Sequence, residues 1–430
     1  MIKKKLAVIG SGISGLSAAY LLSKKYDVCL FEKNKKLGGH TRTIYFNEKN
    51  IKLAVDTGFI VFNENNYPDL VNFFKLLNVK YENSNMSFSV SAKNPNMEYS
   101  GKNLISLFSD IKNLFSIKFL FMLNEINNFY KKCNQIKIDD KLATMTLRDF
   151  LDSNNFSNYL KKYHIMPMAS SIWSSNVKDI ENFPLILFIN FFKNHGLFKL
   201  KNRPEWKFVT GGSNEYIKKI ISLNLFVNKT NVEIKSIERK SEKVKIFDIN
   251  NIAYEFDKLV LAIHPDQVLK ILKKPTPEEF EILSTFKYSK NTAFLHKDSN
   301  FMPNHKLAWS SWNFVENIEN KEKFMLTYWM NKLQKLPTKT DYFVTINPHN
   351  KPIGVIDNTT FEHPMFNLQT LKAQKKIPTI QGSSNTYYSG SYLGYGFHED
   401  GIQASAHVCK LLGVSLPWLR DNKFYNRLQI

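Results

Sequence analysis

Near its start the chain passes from an apolar segment directly into a glycine-rich turn and then a helical pattern, and this order restricts the fold more than any other feature. Leu6 to Gly10 is a continuous apolar run, Gly12 and Gly15 continue the motif, and a second apolar segment spans Asp27 to Glu32. A continuous apolar run is typical of a parallel strand buried on both faces. A β-α-β unit of about 30 residues with this glycine spacing indicates dinucleotide binding. We therefore predict a Rossmann-like domain.

Each residue type in this unit has a physical role in holding a dinucleotide. Gly10 permits the tight turn, Gly12 lets the backbone approach the pyrophosphate, and Gly15 lets helix and strand pack closely. The helix N-terminus supplies N–H donors for the diphosphate. Glu32 can accept hydrogen bonds from ribose hydroxyls and disfavours a 2′-phosphate. A plain surface turn would not need all these parts, and we expect cofactor contacts from Gly10, Gly12, Ser14, Gly15, Glu32 and Lys33.

A second glycine-rich segment lies near the other end of the sequence. It runs from Gly390 to Gly401 and leads into a helical pattern that reaches Leu412. Two such segments, about 380 residues apart, indicate a long cofactor that one chain binds at both ends. We therefore expect FAD.

The nucleotide-binding elements are interleaved with others along the chain. We predict an α/β fold in which residues 1–80, 205–265 and 380–430 form a GR2-type Rossmann-like FAD-binding domain and the C-terminal tail. Residues 81–204 would form the helical part of a substrate domain, and residues 266–379 its antiparallel-sheet part.

More local patterns fill in this outline. Helices are predicted at 66–82, 104–133 and 146–163, the last with Thr146 as its N-cap. Alternating apolar and polar residues between 292 and 347 predict antiparallel strands, including one at Leu307 to Trp312.

Composition limits the range of partners. The formal net charge is +21, yet only six of the 59 basic residues are arginine. An excess of lysine with abundant asparagine is what compositional drift would give, and a basic face toward anionic lipid headgroups is the alternative. No cluster of arginine and aromatic residues suited to reading bases occurs, so no nucleic-acid partner is expected.

Cysteine usage and hydropathy indicate the compartment. The three cysteines are far apart and form no CxxC motif, so we expect buried thiols in a reducing compartment and no metal site. No signal-peptide pattern is present, and the longest apolar candidate, Leu104 to Leu123, is interrupted by Asp110, Lys112 and Lys118. We expect a cytoplasmic protein, soluble or in peripheral contact with the inner face of an anionic membrane through 104–123 or 184–200.

The segment from Leu37 to Thr43, LGGHTRT, resembles the GG-x-x-R-T segment of the flavin amine oxidase superfamily, which includes monoamine oxidases, phytoene desaturases and protoporphyrinogen oxidase. The resemblance implies that this turn and its arginine cradle the FAD diphosphate, which a guanidinium can neutralise bidentately. It also implies that Asp56 to Gly58 passes close to the isoalloxazine, that the Val232 backbone holds the adenine, and that the helix starting near Glu399 aims N–H groups at the flavin. The further cofactor contacts implied are Gly38, Gly39, His40, Thr41, Arg42, Thr57, Gly58, Val232, Gly390, Glu399, Asp400 and Gly401.

Other segments are similar to a bacterial branch of predicted NAD/FAD-binding oxidoreductases, and the likeness covers nearly the whole chain. The segments are Pro167 to Ser174, Asn194 to Leu197, Arg203 to Trp206, Gly211 to Tyr216, Trp309 to Asn313, Thr327 to Gln334 and Gly394 to Gly401. In related bacteria this branch is associated with modification of membrane fatty acyl chains. The resemblance therefore implies a lipid-like substrate.

Two departures from the amine oxidases of this superfamily alter the expected chemistry. Ser391 stands where some of these oxidases have the cysteine that links FAD covalently, so we expect noncovalent FAD. Asn291 aligns with the lysine that assists the reaction with oxygen at flavin N5, and Lys290 beside it is expected to face away. Neither departure favours a fast, oxygen-using amine oxidase.

Aromatic residues are numerous enough to line a dry slot for an apolar chain. We predict that Trp173, Trp309, Trp312 and Trp329 line it, although residues of this kind also form ordinary core. The candidate catalytic residues are His195, as a general base, and Tyr328; a structural or capping role for His195 is the alternative.

The predicted function is FAD-dependent, desaturase-like hydride abstraction to flavin N5 from a long apolar substrate, such as a methyl-branched or unsaturated fatty acyl chain. Three alternatives remain: a redox-neutral flavin-dependent double-bond isomerase, a flavin amine oxidase, and a flavin-binding scaffold without turnover. The sequence leaves the electron acceptor open.

Overall fold

The computed structural model describes residues 3–137, 139, 142–199, 202–240, 242–316, 323–418 and 427–428. Most of the predicted C-terminal tail beyond 418 therefore lies outside the described residues. The strands formed by the described residues are β1 Lys5–Ile9, β2 Asp27–Phe31, β3 Thr43–Glu48, β4 Ile51–Asp56, β5 Val61–Asn63, β6 Tyr81–Ser84, β7 Phe88–Lys93, β8 Asn96–Ser100, β9 Trp206–Val209, β10 Val227–Lys229, β11 Ile234–Arg239, β12 Val244–Asp248, β13 Ala253–Phe256, β14 Lys258–Leu261, β15 Lys287–His296, β16 Trp312–Val315, β17 Leu326–Trp329, β18 Phe343–Ile346, β19 Asp357–Met365 and β20 Thr386–Tyr388.

The α-helices of the same residues are α1 Ile13–Leu22, α2 Pro68–Leu76, α3 Leu104–Leu107, α4 Ile117–Gln135, α5 Leu147–Ser153, α6 Asn158–Leu160, α7 Met166–Trp173, α8 Val177–Glu181, α9 Leu185–Asn194, α10 Asn214–Ser222, α11 Pro265–Ile271, α12 Pro277–Leu283, α13 Met330–Leu333, α14 Leu368–Ile380 and α15 His398–Leu411. A π-helical turn, Lys161–Ile165, joins α6 to α7. No helix of the described chain is both long and apolar enough to cross a lipid bilayer.

A five-stranded parallel sheet carries the glycine-rich turn. Its strand order is β10-β2-β1-β14-β20, so its strands come from three separate parts of the chain. Alternate residues of β1 enter two different cores: Leu6 and Val8 pack with α1, α2 and α15, whereas Ala7 and Ile9 pack with α11, α12 and α14. Helices thus cover both faces of the sheet, which explains the continuous apolar run of the first strand.

A seven-stranded sheet of order β19-β15-β18-β17-β16-β7-β8 forms the second half of the molecule. Its neighbouring strands are antiparallel except for β16 and β7, which are parallel. Helices α4 to α9 share one apolar core with this sheet. The α/β fold class predicted from the sequence is therefore confirmed.

Several local predictions are confirmed and others are wrong. Thr146 caps α5 and forms a capping box with Asp149. The segment 104–133 is not one helix, because Asn103, Asp110 and Ser116 each cap a new turn. The predicted strand at 307–312 is a 3₁₀ turn, Lys306–Ala308, and the strand starts only at Trp312.

A buried carboxylate joins the two halves. Asp56, at the end of β4, is fully buried and accepts hydrogen bonds from Thr43 Oγ1 (2.5 Å), Ser213 N (2.9 Å), Ser213 Oγ (2.7 Å) and Gln334 Nε2 (2.7 Å). Its own N–H donates to Gln334 Oε1 at 2.9 Å. Burial raises the pKa of Asp56 to about 6, and these donors oppose the rise.

We expect Asp56→Ala to lower the free energy of unfolding by about 1–3 kcal/mol, because the fixed N–H of Ser213 and the neighbouring donors would lose their buried acceptor. Urea unfolding at pH 7 measures this. The matched control is Asp152→Ala, whose carboxylate is 59% exposed and pairs with Lys161; it should change stability by about 0.5 kcal/mol or less. Equal effects of the two substitutions would contradict the role given to Asp56.

Candidate functional site

A cavity of about 2080 Å³ is lined by residues of both sheets. This is about twice the upper volume of a typical small-ligand pocket, roughly 1,000 Å³. The cavity therefore has room for an extended dinucleotide together with a second ligand. One end is formed by glycines and charged residues of the parallel sheet, and the other by aromatic residues of the helical block and the seven-stranded sheet.

The glycine turn after β1 forms the floor of the first end. Gly10 has a φ of +96°, and a Cβ there would lie 2.5 Å from Ala262 O. Gly12 precedes α1, which has neither a side-chain cap nor an acidic residue in its first turn, so its N-terminal N–H groups are available to an anion. A Cβ on Gly12 would meet no protein atom within 4 Å, since this position faces the cavity. The geometry fits a diphosphate.

Gly15 and Ser14 have different positions relative to the cavity. A Cβ on Gly15 would lie 1.8 Å from Gly10 O, so this glycine permits helix–strand contact and does not line the cavity. Ser14 lines the cavity, and its carbonyl accepts a 2.6 Å hydrogen bond from Ser405 Oγ of α15.

Glu32 and Lys33, at the end of β2, both line the cavity. Glu32 Oε2 accepts from Ser11 Oγ at 2.6 Å, and Oε1 accepts from the backbone and side-chain amides of Asn34 at 2.9 Å. A ribose would therefore have to replace a donor, and the Asn34 side-chain amide is the one that can rotate away. Val232 lines the same end.

The second glycine pair touches the first. Gly39 has a φ of +58°, and a Cβ there would lie 3.1 Å from Gly12 Cα; Gly38 lies behind it, outside the lining. Arg42 lines the cavity beside this turn, but its guanidinium already pairs with Asp357 of β19, with Nη2–Oδ1 at 3.1 Å. A phosphate would thus share Arg42 with a carboxylate, which the sequence did not indicate.

Histidine side chains surround the middle of the cavity. His40 stacks on Phe361 (4.9 Å between ring centroids) and meets His363 edge-on at 5.2 Å. Burial, with repulsion from His264, lowers the pKa of His40 to about 4. Burial, with repulsion from His40 and His264, lowers the pKa of His363 to about 3. His264 stacks on Tyr288 at 3.9 Å, and burial lowers its pKa to about 4. These imidazoles are neutral at pH 7.

The start of α15 closes the middle of the cavity. His398 Nε2 lies 2.9 Å from Thr41 Oγ1, and its ring stacks on Phe59 at 3.7 Å. Burial lowers the pKa of His398 to about 3. Gly58 lines the cavity, with no room for a Cβ because His40 O would be 2.1 Å away, whereas Thr57 lies behind the lining and its hydroxyl accepts from Arg42 at 3.3 Å.

The far end of the cavity is aromatic and uncharged. Trp173, at the end of α7, donates through Nε1 to Tyr395 O at 3.2 Å and contacts Phe191 of α9 at 5.0 Å. Trp312 and Tyr328, on neighbouring strands, meet edge-on at 4.9 Å. Among the described residues, the lining contributed by α7, α9, β16, β17 and positions 391–397 contains no Asp, Glu, Lys or Arg.

Two of the four predicted slot tryptophans lie elsewhere. Trp309 donates to Pro303 O at 2.8 Å and packs with Trp329 and Phe343 in a separate small core. Trp329 donates to Asp341 Oδ1 at 2.8 Å. Neither of these two residues lines the cavity. Trp329 follows Tyr328 in a strand, where successive side chains point to opposite faces.

His195 is not placed to act as a general base. It is buried behind the lining, stacked on Phe191 at 3.8 Å, with Nδ1 2.8 Å from Phe191 O. Burial, with the nearby Arg427 cation, lowers its pKa to about 3. Tyr328 does line the cavity, and burial raises its pKa well above the ordinary value. The structural alternative for His195 fits these contacts.

Asn291 and Lys290 are reversed relative to the expectation. The Asn291 amide is buried and donates to Ser174 O at 2.9 Å, outside the cavity lining. Lys290 lines the cavity, with Nζ 3.9 Å from Glu362. A shift of one residue in a strand exchanges its faces, which explains the error.

The acidic residues of the closing motif hold the protein together. Glu399 accepts from the N–H groups of Asp69 (3.1 Å) and Leu70 (3.0 Å) at the start of α2. Asp400 Oδ2 accepts from Phe397 N at 2.7 Å, and Arg427 lies 3.2 Å from its Oδ1. A Cβ on Gly401 would lie 2.7 Å from Ile13 Cγ2 of α1. None of the three lines the cavity, whereas Gly390 does.

His363, Phe361 and Tyr288 also line the cavity, although the sequence did not indicate them. They lie on β15 and β19, which are far from every glycine motif along the chain. The alternation of these strands was the available signal, but it does not tell which face meets the cavity.

Comparisons with known proteins agree with this geometry. A family model described as an NAD(P)-binding Rossmann-like domain matches residues 8–77. The chain is similar to the solved structure of a CLA-producing fatty acid isomerase from P. acnes, with 15% identity, a TM-score of 0.68, and coverage of 96% of this chain and 99% of that one. No curated protein matches the sequence.

Two amine oxidases share the same fold. Cyclohexylamine oxidase from Brevibacterium oxydans IH-35A is 14% identical, with a TM-score of 0.67 and coverage of 96% of this chain and 100% of that one. Putrescine oxidase bound to putrescine is 11% identical, with a TM-score of 0.66 and coverage of 96% and 99%. The fold expected from the resemblance to the flavin amine oxidase superfamily is confirmed.

The two glycines of the first turn should respond differently to a methyl group. Gly12→Ala should leave the melting temperature of the nucleotide-free protein nearly unchanged and weaken binding of added FAD at least about tenfold, because its Cβ would occupy ligand space. Gly15→Ala should instead destabilise the protein itself. Fluorescence quenching of FAD and thermal unfolding measure the two effects. Similar melting temperatures for both variants would contradict the assignment.

The partly buried histidines of the cavity should make stability depend on pH. His363 has a folded-state pKa of about 3, below the ordinary 6.5, so the unfolded chain binds its proton first and stability falls as pH drops from about 6.5 towards 3. In His363→Asn the slope of unfolding free energy between pH 4.5 and 6 should be smaller by up to about 1.4 kcal/mol per pH unit. Urea unfolding across this range tests it, and an unchanged slope would show that the ring is hydrated.

Proposed function

We propose that the protein is an FAD-dependent oxidoreductase that acts on a long, uncharged, apolar substrate, such as an unsaturated or methyl-branched fatty acyl chain of membrane lipid. The observation that carries the proposal is the division of one cavity into a glycine-rich nucleotide end and an aromatic end without charged side chains among its described residues. Bound FAD would supply the hydride acceptor.

The residues of the nucleotide end fit FAD. The N-terminus of α1 would hold the diphosphate with the Gly12 and Gly39 backbone, and Arg42 would share its charge between phosphate and Asp357. Glu32 would accept from the ribose. None of the cysteines, all within the described residues, lines the cavity, and Ser391 lines it instead. This supports noncovalent binding.

The aromatic end suits an apolar chain better than an amine. An alkylammonium ion leaving water needs a carboxylate or a comparable partner, because burying an unpaired charge is costly. The lining from α7, α9, β16, β17 and positions 391–397 offers no such group and would exclude water from an acyl chain. Glu362 of β19 also lines the cavity, but its carboxylate already faces His264 and Lys290. The neutral His40 and His363 are weak bases and would give little help in breaking a C–H bond. A substrate whose C–H bond is weakened by a neighbouring double bond therefore fits this site.

A redox-neutral double-bond isomerase is the second candidate. The fold shared with a fatty acid isomerase favours it, and it would use the same apolar slot. The two functions differ in product mass: dehydrogenation removes two hydrogens, whereas isomerisation leaves the mass unchanged.

The test is anaerobic incubation of the FAD-loaded protein with phospholipids that carry unsaturated or methyl-branched chains, and separately with alkylamines. A dehydrogenase should lose its oxidised-flavin absorbance with lipid and not with amine, and the lipid should become two hydrogens lighter. A redox-neutral isomerase returns the hydride, so its flavin should stay oxidised while the lipid keeps its mass and its double bond moves. Bleaching by amines alone would overturn the proposal.

Trp312→Leu should raise the KM for the apolar substrate about tenfold while FAD stays bound, because the ring lines the aromatic end. The matched control is Trp329→Leu, which removes a ring from a nearby position outside the cavity. Equal KM values for the two variants would show that the aromatic end does not bind substrate.

A further inference from the structure

A cluster of large apolar side chains is exposed on one part of the surface. Phe115 and Ile117 are 81% and 82% exposed, far more than is usual for such residues. The full set between positions 104 and 121 is Leu104, Ile105, Ile111, Leu114, Phe115, Ile117, Leu120 and Phe121. We call these residues, with the lysines among and beside them, the basic apolar surface.

This surface is ordered. Asn103 Oδ1 accepts from Ser106 N at 2.9 Å, Asp110 Oδ1 from Lys112 N at 3.0 Å, and Ser116 Oγ from Phe119 N at 3.3 Å, so each short turn has its own cap. The first turn of α4 is apolar on both sides: it buries Phe119 in the core and leaves its other side chains in solvent. A helix of this kind normally has a second apolar environment.

Every exposed charge between positions 102 and 121 is a lysine. Lys102, Lys112 and Lys118 are exposed, and the one acid between positions 102 and 121, Asp110, is buried as a cap. Helix α3 packs against the turn that carries Lys306 and the 60% exposed Leu307. Lys332 lies next to Lys102, so five lysines lie among or beside the apolar residues: Lys102, Lys112, Lys118, Lys306 and Lys332.

Tryptophan rings and two crowded lysines mark one edge of this surface. Lys306 Nζ lies 5.7 Å from the centre of the Trp309 ring, and Lys332 Nζ lies 5.4 Å from that of Trp329. Burial and the nearby Lys102 lower the pKa of Lys332 to about 8. An anionic group between these lysines would relieve their repulsion.

We propose that the basic apolar surface docks on an anionic lipid bilayer. The apolar side chains would enter the boundary between headgroups and acyl chains, and the lysines would contact anionic headgroups. This is the composition of interfacial helices, which lie on a membrane and do not cross it. The segment 184–200, also expected to touch membrane, is unsuited because α9 buries most of its apolar residues in the core.

A second copy of the chain fits this surface poorly. A symmetric dimer would place the same patch on both sides and bring ten lysines into one interface. Protein interfaces are depleted in lysine because desolvating such like charges is unfavourable. A bilayer rich in anionic lipid supplies the opposite charge and apolar depth together.

The surface is also close to the aromatic end of the cavity. Strand β8 ends at Ser100, just before it, and β16, which carries Trp312, is the second strand away in the sheet. Two strand spacings are roughly 10 Å. Docking there would hold the aromatic end near acyl chains if the proposed function is correct, but the docking itself does not depend on that function.

Sedimentation with vesicles tests the proposal on the FAD-loaded protein. Vesicles of phosphatidylcholine alone are compared with vesicles containing a third phosphatidylglycerol. Phe115→Ser/Ile117→Ser should weaken partition onto the anionic vesicles at least about tenfold, and Lys112→Glu/Lys118→Glu should do so most strongly at low salt. The matched control is Phe280→Ser/Ile353→Ser, at side chains that are 58% and 74% exposed elsewhere.

All of the substituted side chains are exposed, so the melting temperature and the flavin content of every variant should match those of the parent protein. Binding by the parent and the control, with loss in the two surface variants, supports docking. Absence of parental binding, or equal binding by all variants, overturns it. The alternative partner for this surface is a second copy of the chain, which size-exclusion chromatography tests. A dimer of the parent protein that Phe115→Ser/Ile117→Ser converts to a monomer would also overturn the proposal.

Discussion

The buried carboxylate of Asp56 fixes how the two halves of the molecule meet. It binds the start of β3 through Thr43, the turn before α10 through Ser213, and α13 through Gln334. The chain leaves Asp56 directly into Thr57, whose N–H donates to Arg42 O at 2.9 Å. The wall of the cavity, from Arg42 to Gly58, is thus held in place by one group that has no cation as its partner among these contacts.

The cation of this region, Arg42, lies beside the glycine turn and does not pair with Asp56. Arg42 pairs with Asp357, so the cation next to the glycine turn is already anchored to the seven-stranded sheet. An anchored guanidinium loses less rotamer freedom when it binds a phosphate, and its carboxylate partner moderates the attraction. The same pair connects the nucleotide end of the cavity to the strand that carries Phe361 and His363.

The sequence was sufficient for the first β-α-β unit, whose residues are neighbours along the chain. Its turn depends on Gly15, since a Cβ there would lie 1.8 Å from Gly10 O. The part of the site formed by β15 and β19 was harder to predict from the sequence. An error of one position exchanged Asn291 and Lys290, and Trp309 and Trp312 could not be separated, because only the structure reveals where β16 begins.

Glu399 and Asp400 show a different limit. Acidic residues at the start of a helix are favourable for the helix itself. Their presence in the sequence therefore does not distinguish a cofactor contact from a structural role. Here Glu399 turns to α2, and burial and the nearby Asp69 raise its pKa to about 8. Asp400 Oδ2 accepts from Phe397 N and so caps α15 itself. The two carboxylates therefore stabilise the start of α15 and its contact with α2, and neither of them lines the cavity.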